Sequence, residues 1–294
     1  MIVVKIWGGL GNQMFQYAAA KALSVSNNVV LKLDTSHFEN PPPGETTRSY
    51  RLHIFPNIRE ELATEQEIAR LRPVFKTSVW NRLYKKINQQ VYNFNKYYKT
   101  ESGPASGPIQ PADPSSAYLD GYWQSENYFV DHATVIRESF SLHQVSQNSS
   151  LQDLMARIHR EQSVSVHIRR GDYVTSVATN AYHGVLGVDY YKNAIDGLQA
   201  SVGHEPHFFI FSDDIDWCKN NLQITFPHTY VSTGEDFYDL YLMSICKHHI
   251  IANSSFSWWG AWLSASPDKQ VIAPAKWFSK RDAGNIIPVS WTTK

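Results

Sequence analysis

Apolar and polar positions change period along this chain, and the changes outline its elements. Ile2-Val3-Val4-Lys5-Ile6 is a short apolar run, Gly8-Gly9-Leu10-Gly11-Asn12-Gln13 follows, and Met14–Ser24 then has the apolar spacing of a helix. A second run at Val29–Leu33 completes the pattern strand, glycine turn, helix, strand, which is the β-α-β unit of a parallel sheet. Pro41-Pro42-Pro43-Gly44 interrupts it and predicts a loop-rich region over 35–60. Trp80, Leu83, Tyr84, Ile87, Val91 and Phe94 fall at helical spacing and predict a helix whose apolar stripe faces a core. Prolines 104, 108, 111 and 114, with Gly and Ser between them, mark a surface excursion. Beyond it Tyr118–Trp123 reads as a strand, and Tyr128, Phe129, Val135, Ile136 and Phe140 mark a further helical stretch.

The second half alternates more regularly. Strands are predicted at 163–168, 207–211, 248–252 and 270–273, and helices at 151–160, 188–200, 236–246 and 256–264. That alternation implies a parallel sheet with helices on both faces. Val145–Ser150 is polar and aperiodic, so the expected division is 1–147 and 148–294, two α/β domains of ordinary size. Ligands of such sheets sit at the C-terminal ends of the strands.

Composition narrows the function. Hydrophobic residues at 43% and charged residues at 18% are ordinary for a soluble protein. Lys+Arg and Asp+Glu are both 27, so the basic excess of a nucleic-acid binder is missing. Two cysteines, Cys218 and Cys246, make no disulfide scaffold and suit a reducing compartment. The opening reads as a strand rather than a secretory signal, and no apolar run approaches the ~18 residues of a membrane span. The expected setting is the cytoplasm, including peripheral association with the inner face of a membrane.

Four motifs carry candidate chemistry. In His167-Ile168-Arg169-Arg170-Gly171-Asp172, an apolar strand ends in two guanidiniums, an imidazole and a carboxylate. Arginine's planar fork suits a diphosphate, while an Arg–Asp pair tying down a loop explains the same residues equally well. The Gly8–Gln13 turn lacks the lysine of a P-loop and the third glycine of a dinucleotide fingerprint, and it is either a bare tight turn or a place where Asn12 and Gln13 meet hydroxyls. Phe208–Phe211 runs into Ser212-Asp213-Asp214, where one group caps the next helix and another carboxylate remains to read guanine through its N1–H and amino group. In Asn253-Ser254-Ser255-Phe256, polar residues precede a helix and either cap it or hold phosphate on its free N–H groups. No cluster has metal-ligand spacing, since His248 and His249 are adjacent on a strand and point to opposite faces.

GGLGNQMFQYA at 8–18, GYWQSENYF at 121–129, HIRRGDY at 167–173, FIFSDD at 209–214 and HHIIANSSFSWWGAWL at 248–263 together resemble the α-1,2-fucosyltransferases of glycosyltransferase family 11 over nearly the whole length. The resemblance implies a GT-B architecture, α/β with two Rossmann-like domains facing across a cleft, the first on the acceptor side and the second binding GDP-fucose. It implies metal-independent transfer of L-fucose, with inversion, to the 2-hydroxyl of a terminal galactose on an oligosaccharide or lipid-linked glycan, with no cofactor. Arg169 then holds the β-phosphate, His167 and Asp214 contact guanine, Ser254, Ser255 and Phe256 lie along the diphosphate, and Arg170 and Gly11 complete the donor side. Asp172 orients the arginines and Asn12 faces the reacting centre, so Arg169, Asp172 and Asn12 form the expected catalytic set. A general base is not identified, and Glu126, Asp34, His37 and His183 are its candidates. Transfer to another hydroxyl, or non-catalytic binding of a nucleotide sugar or glycan, are the alternatives.

Overall fold

A computed structural model describes residues 1–39, 41, 47–59, 61–72, 79–80, 83–84, 86–87, 95–101, 105, 107–202, 205–279 and 282–294. The chain divides into two compact units, Met1–Ser141 with Gly284–Ile286, and Leu142–Ala283 with Ile287–Lys294. The division precedes the expected 147/148 boundary. The polar stretch there forms a 3-10 turn, His143–Gln147, with Leu142 and Val145 buried, and Gln152 donates to the Ser146 carbonyl at 2.7 Å. Two buried side chains and a side-chain tie therefore assign these residues to the second unit despite their polar sequence.

The first unit is built on β1 (Ile2–Lys5), β2 (Leu31–Asp34), β3 (Tyr98–Thr100) and β4 (Ala117–Asp120), all parallel in the order β2-β1-β4-β3. β1 lies in the middle, and its two neighbours leave it in opposite directions. The helix after β1 starts at Leu10, earlier than Met14, so Gly11, Asn12 and Gln13 lie in its first turn. Gly8, at φ +80°, reverses the chain in few residues, and the Gly9 carbonyl accepts from the Asn12 and Gln13 amides at 2.9 and 3.1 Å. Among its described residues, the stripe expected to face a core does so only at Tyr84. Trp80, Leu83 and Ile87 are 58%, 41% and 42% exposed, and only Tyr84 packs on the Val3, Tyr98 and Tyr118 cluster, while Val91 and Phe94 fall outside the described residues.

The second unit carries β5 (Ser163–Ile168), β6 (His207–Ser212), β7 (His228–Val231), β8 (His248–Ile250), β9 (Val271–Ala273) and β10 (Thr292–Thr293), parallel throughout and ordered β10-β9-β8-β5-β6-β7. In chain order this is the doubly wound Rossmann arrangement, with its reversal point between β5 and β8. Every residue of β5 is buried, as a central parallel strand requires. Val164, Val166 and Ile168 pack with Tyr191, Ile195 and Leu198 of the helix Val188–Ser201. Both units are thus α/β with parallel sheets. No helix among the described residues is long and apolar enough to cross a membrane.

Candidate functional site

The groups predicted at the end of β5 are gathered at the reversal point of the second unit. Arg169, directly after the strand, donates through Nη2 to Asp172 Oδ1 at 2.6 Å, and its Nη1 lies 2.8 Å from Asp213 Oδ2. Its side chain keeps 24% of its surface open. Burial disfavours its charge, but Asp213 and Asp172 more than offset this and hold its pKa above the ordinary arginine value. The two alternatives left by the sequence therefore coexist. Ion pairs fix the loop, and they also hold the guanidinium in one orientation with donors to spare, since it has five N–H groups. Arg170 places its guanidinium 3.8 Å from the centre of the Trp217 ring, with Nε 3.5 Å from Asp214 Oδ2.

The two adjacent carboxylates divide the work differently from a simple cap and free partner. Asp214 is the cap, accepting from the Trp217 amide at 3.0 Å at the start of the helix Ile215–Asn221. Its other oxygen faces Arg170 at 3.5 Å, so the carboxylate assigned to guanine is the one that caps the helix, and its side chain is 43% exposed. Asp213, which the sequence did not single out, accepts from the Arg170 amide at 2.8 Å and pairs with Arg169. Gly171 explains its position. A Cβ built there would lie 2.5 Å from Asp213 Oδ2, so only glycine lets the carboxylate reach both arginine residues.

His167 is 6% exposed, and its Nδ1 has no partner among the described residues. Burial, and then the neighbouring Arg169 charge, lower its pKa to about 3, so the ring is neutral at pH 7. The Phe256 ring lies 5.7 Å away. A buried polar atom left unpaired is costly, and one at a strand end points to a bound group. Ser254 caps the helix Ser255–Leu263, accepting from the Phe256 amide at 3.3 Å, while Ser255 and Phe256 are half-buried in its first turn. Asn253 does not face outward. Its side-chain amide donates to the His183 carbonyl at 2.9 Å, and its own carbonyl accepts from the Tyr173 hydroxyl at 3.0 Å. These bonds tie the helix Gly171–Thr175 and the His183 segment to the end of β8. His183 itself stacks on Tyr173 at 4.8 Å and 13°. His167, Arg169, Arg170, Asp172, Asp214, Ser254, Ser255, Phe256 and His183 therefore belong to one edge of one unit.

Gly11, Asn12, Asp34, His37 and Glu126 belong to the first unit. Gly11 is buried in the opening turn of its helix. Asn12 accepts from Gln124 Nε2 at 2.8 Å. Gln13, a suggested partner for hydroxyls, is fully occupied by backbone, donating to the Gly8 and Ser49 carbonyls and accepting from the Arg51 amide. Asp34 is 2% exposed and accepts from the Tyr118 hydroxyl and the Ser36 amide. The Arg72 guanidinium, over the Tyr118 and Tyr98 rings at 4.8 and 5.8 Å, raises its own pKa by pairing electrostatically with Tyr118, Asp120, Tyr98 and Asp34 against the cost of burial. That enclosure makes Asp34 a structural carboxylate. Glu126 opens a 3-10 turn beside the charge of Arg137, and His37 lies 5.9 Å from Trp7.

The family model for "Glycosyl transferase family 11" matches residues 1–292. The chain belongs to glycosyl transferase family 11. An alpha-1,2-colitosyltransferase of Escherichia coli is 35% identical over 98% of this chain and 96% of its own. The O-antigen biosynthesis glycosyltransferase WbnK of Escherichia coli is 34% identical over 97% of each. Human galactoside alpha-(1,2)-fucosyltransferase 1 is 29% identical over 50% of this chain and 42% of its own. Among solved structures, the fucosyltransferase NodZ from Bradyrhizobium covers 88% of this family 11 chain and 91% of its own, at 13% identity and a TM-score of 0.47. The family 11 chain is thus a glycosyltransferase, and its matching segments include every motif singled out above.

Proposed function

We propose that this glycosyltransferase moves L-fucose from GDP-fucose to the 2-hydroxyl of a terminal galactose, with inversion at the anomeric carbon. The observation that carries the reading is Arg169, held between Asp172 and Asp213 beside a buried, neutral His167 whose Nδ1 is unpaired. In this reading the departing β-phosphate takes the remaining Arg169 donors, and the amide groups opening the helix at Ser255 share its charge. His167 and the half-exposed carboxylate of Asp214, whose Oδ2 is braced by Arg170, meet the guanine edge. Leaving-group departure runs ahead of attack, since the transition state resembles an oxocarbenium ion. We assign the reaction no metal and no cofactor, and place it on the cytoplasmic side, where two free, buried cysteines fit a reducing compartment.

Relatives named for α-1,2 transfer of both fucose and colitose favour that linkage and leave a second donor open. Colitose is fucose without its 3-hydroxyl, so GDP-colitose would present a sugar one oxygen smaller on the same leaving group. The test offers GDP-fucose and the colitosyl donor, each with a panel of β-galactosides and with EDTA, and reads the product linkage by NMR. Fucose on O2 of galactose in the presence of EDTA is the expected result. Exclusive colitosyl transfer, linkage to another hydroxyl, or activity restored only by a divalent cation each overturns the corresponding part.

A further inference from the structure

The inner strand pair of the first sheet is β1 and β4. Open α/β sheets bind ligands beyond the carboxyl ends of their strands. Two aromatic rings stand there. Trp7 follows β1, Tyr122 follows β4, their centroids are 4.1 Å apart at 36°, and both rings are half-buried. Two planar amides stand close to them in sequence, Asn12 and Gln124, joined by the 2.8 Å bond from Gln124 to Asn12. Lys5 Nζ and the His37 ring lie 5.7 and 5.9 Å from the Trp7 ring. A Cβ on Gly9 would meet nothing within 4 Å, so the turn below the rings opens on free space.

The backbone is held under strain to keep this arrangement. Trp123, between Tyr122 and Gln124, sits at φ +56°, a region that bulky residues rarely occupy. It is locked there by burial and by an edge-on contact with Tyr128 at 5.3 Å and 84°. Gly121 gives the turn its room, since a Cβ there would come within 2.7 Å of Glu101 and 2.9 Å of the Trp123 ring. The turn therefore sends Tyr122 toward Trp7 and Gln124 toward Asn12, where a relaxed strand would not.

We infer that the Trp7–Tyr122 ring pair, with Gln124 at its edge, is the subsite that seats the galactose ring of the acceptor. This rests on the galactoside-directed reading above. Rings with planar amides at their rim match the chemistry of a pyranose. One face of β-galactose carries only the C–H groups of C3, C4 and C5, which lie against an aromatic surface, while its hydroxyls project sideways to amide and amine donors. An inorganic phosphate would find only the Lys5 charge among these groups.

The experiment compares wild type, Trp7→Ala, Trp7→Phe and Tyr122→Ala with methyl β-D-galactopyranoside as acceptor. Acceptor KM should rise about tenfold or more on losing either ring and less for Trp7→Phe, with the GDP-fucose KM and slow donor hydrolysis unchanged. In saturation-transfer NMR with GDP present, the H3, H4 and H5 signals of the galactoside should be the strongest in wild type and fade in Tyr122→Ala. Where Trp7→Ala does not fold, Trp7→Phe and Tyr122→Ala carry the test. An acceptor KM within about twofold of wild type in folded ring variants, or a rise in donor KM instead, overturns the subsite. Wild type that transfers to no galactoside overturns the reading beneath it, and the NMR contact map then judges the subsite separately.

Discussion

Gly171→Ala tests the site through a single added methyl group. The new Cβ would stand 2.5 Å from Asp213 Oδ2 and 3.2 Å from its Cγ. Ordinary contact requires the carboxylate to retreat by about 1 Å, and rigid surroundings make such overpacking cost about 1–3 kcal/mol. Retreat carries Oδ2 away from Arg169 Nη1, now 2.8 Å distant, and Oδ1 away from the Arg170 amide, also at 2.8 Å. The opposing gain, better helix propensity, is below about 1 kcal/mol and smaller still at the first helical position. The clash wins. A misplacement of about 1 Å in a group that stabilises the transition state costs on the order of 100-fold in rate. We therefore expect Gly171→Ala to fold, to melt a few degrees lower, and to lose about two orders of magnitude in kcat. The assay is initial velocity with GDP-fucose and a β-galactoside, beside thermal melting. Gly171→Ala/Asp213→Ala should not recover the rate, because the obstacle goes but the brace does not return. Turnover within about threefold of wild type in Gly171→Ala would refute the claim that Asp213 positions Arg169.

Two further outcomes follow from the same edge. His167 has a folded-state pKa of about 3 against an ordinary value of 6.5, so the unfolded chain binds a proton that the folded chain refuses. Its contribution is complete above pH 6.5 and is lost as pH falls toward 3, at up to about 1.4 kcal/mol per pH unit. Denaturant melts of wild type and His167→Gln between pH 4 and 8 should differ in that slope, and parallel curves would count against the buried neutral ring. Asp214→Asn separates capping from recognition. Asparagine caps as well as aspartate, so stability should hold, whereas GDP affinity measured by calorimetry should fall about tenfold through the lost charge. Unchanged affinity would remove Asp214 from the guanine edge.

The alternation of apolar runs was enough to locate β1, β5, β6, β8 and β9, because buried parallel strands are nearly continuous in Val, Ile and Phe. β3 and β7, Tyr98–Thr100 and His228–Val231, are short and mixed, and carry no such signal. The motif HIRRGD announced Arg169, but nothing in Ser212-Asp213-Asp214 says which carboxylate caps and which braces. That choice depends on where the Gly171 backbone passes, forty-two positions away in sequence (213 − 171), and only the fold brings the two together. Gln13 illustrates the reverse error. Its side chain is as suited to hydroxyls as that of Asn12, yet three backbone groups claim it first. Trp80, Leu83 and Ile87 have the periodicity of a buried helix and are exposed, because spacing reports which residues share a face and not what covers that face.

On the proposed reading, the inner strand ends of the two sheets supply the two halves of a transfer reaction. Each sheet presents the ends of two inner strands, and the chemistry is set by the few residues just beyond them. After β5 and β6 the chain places two guanidiniums against three carboxylates, a cluster with no net positive charge (2 − 3 = −1) before any ligand arrives. Bulk attraction therefore cannot be what selects an anion there. On the proposed reading, selection comes from fixed direction, namely arginine N–H groups aimed by Asp172 and Asp213 and amides opening a helix, whose value lies in being oriented before charge develops on the leaving oxygen. After β1 and β4 the chain places rings and amides instead, groups whose interactions with a neutral sugar change little during bond making. Substitutions at the second unit's strand ends are therefore expected to act on kcat and those at the first unit's to act on the acceptor KM. The separation explains why strained Trp123 and crowded Gly171 occupy equivalent places beyond the inner strands: each spends backbone or steric freedom to aim one set of side chains.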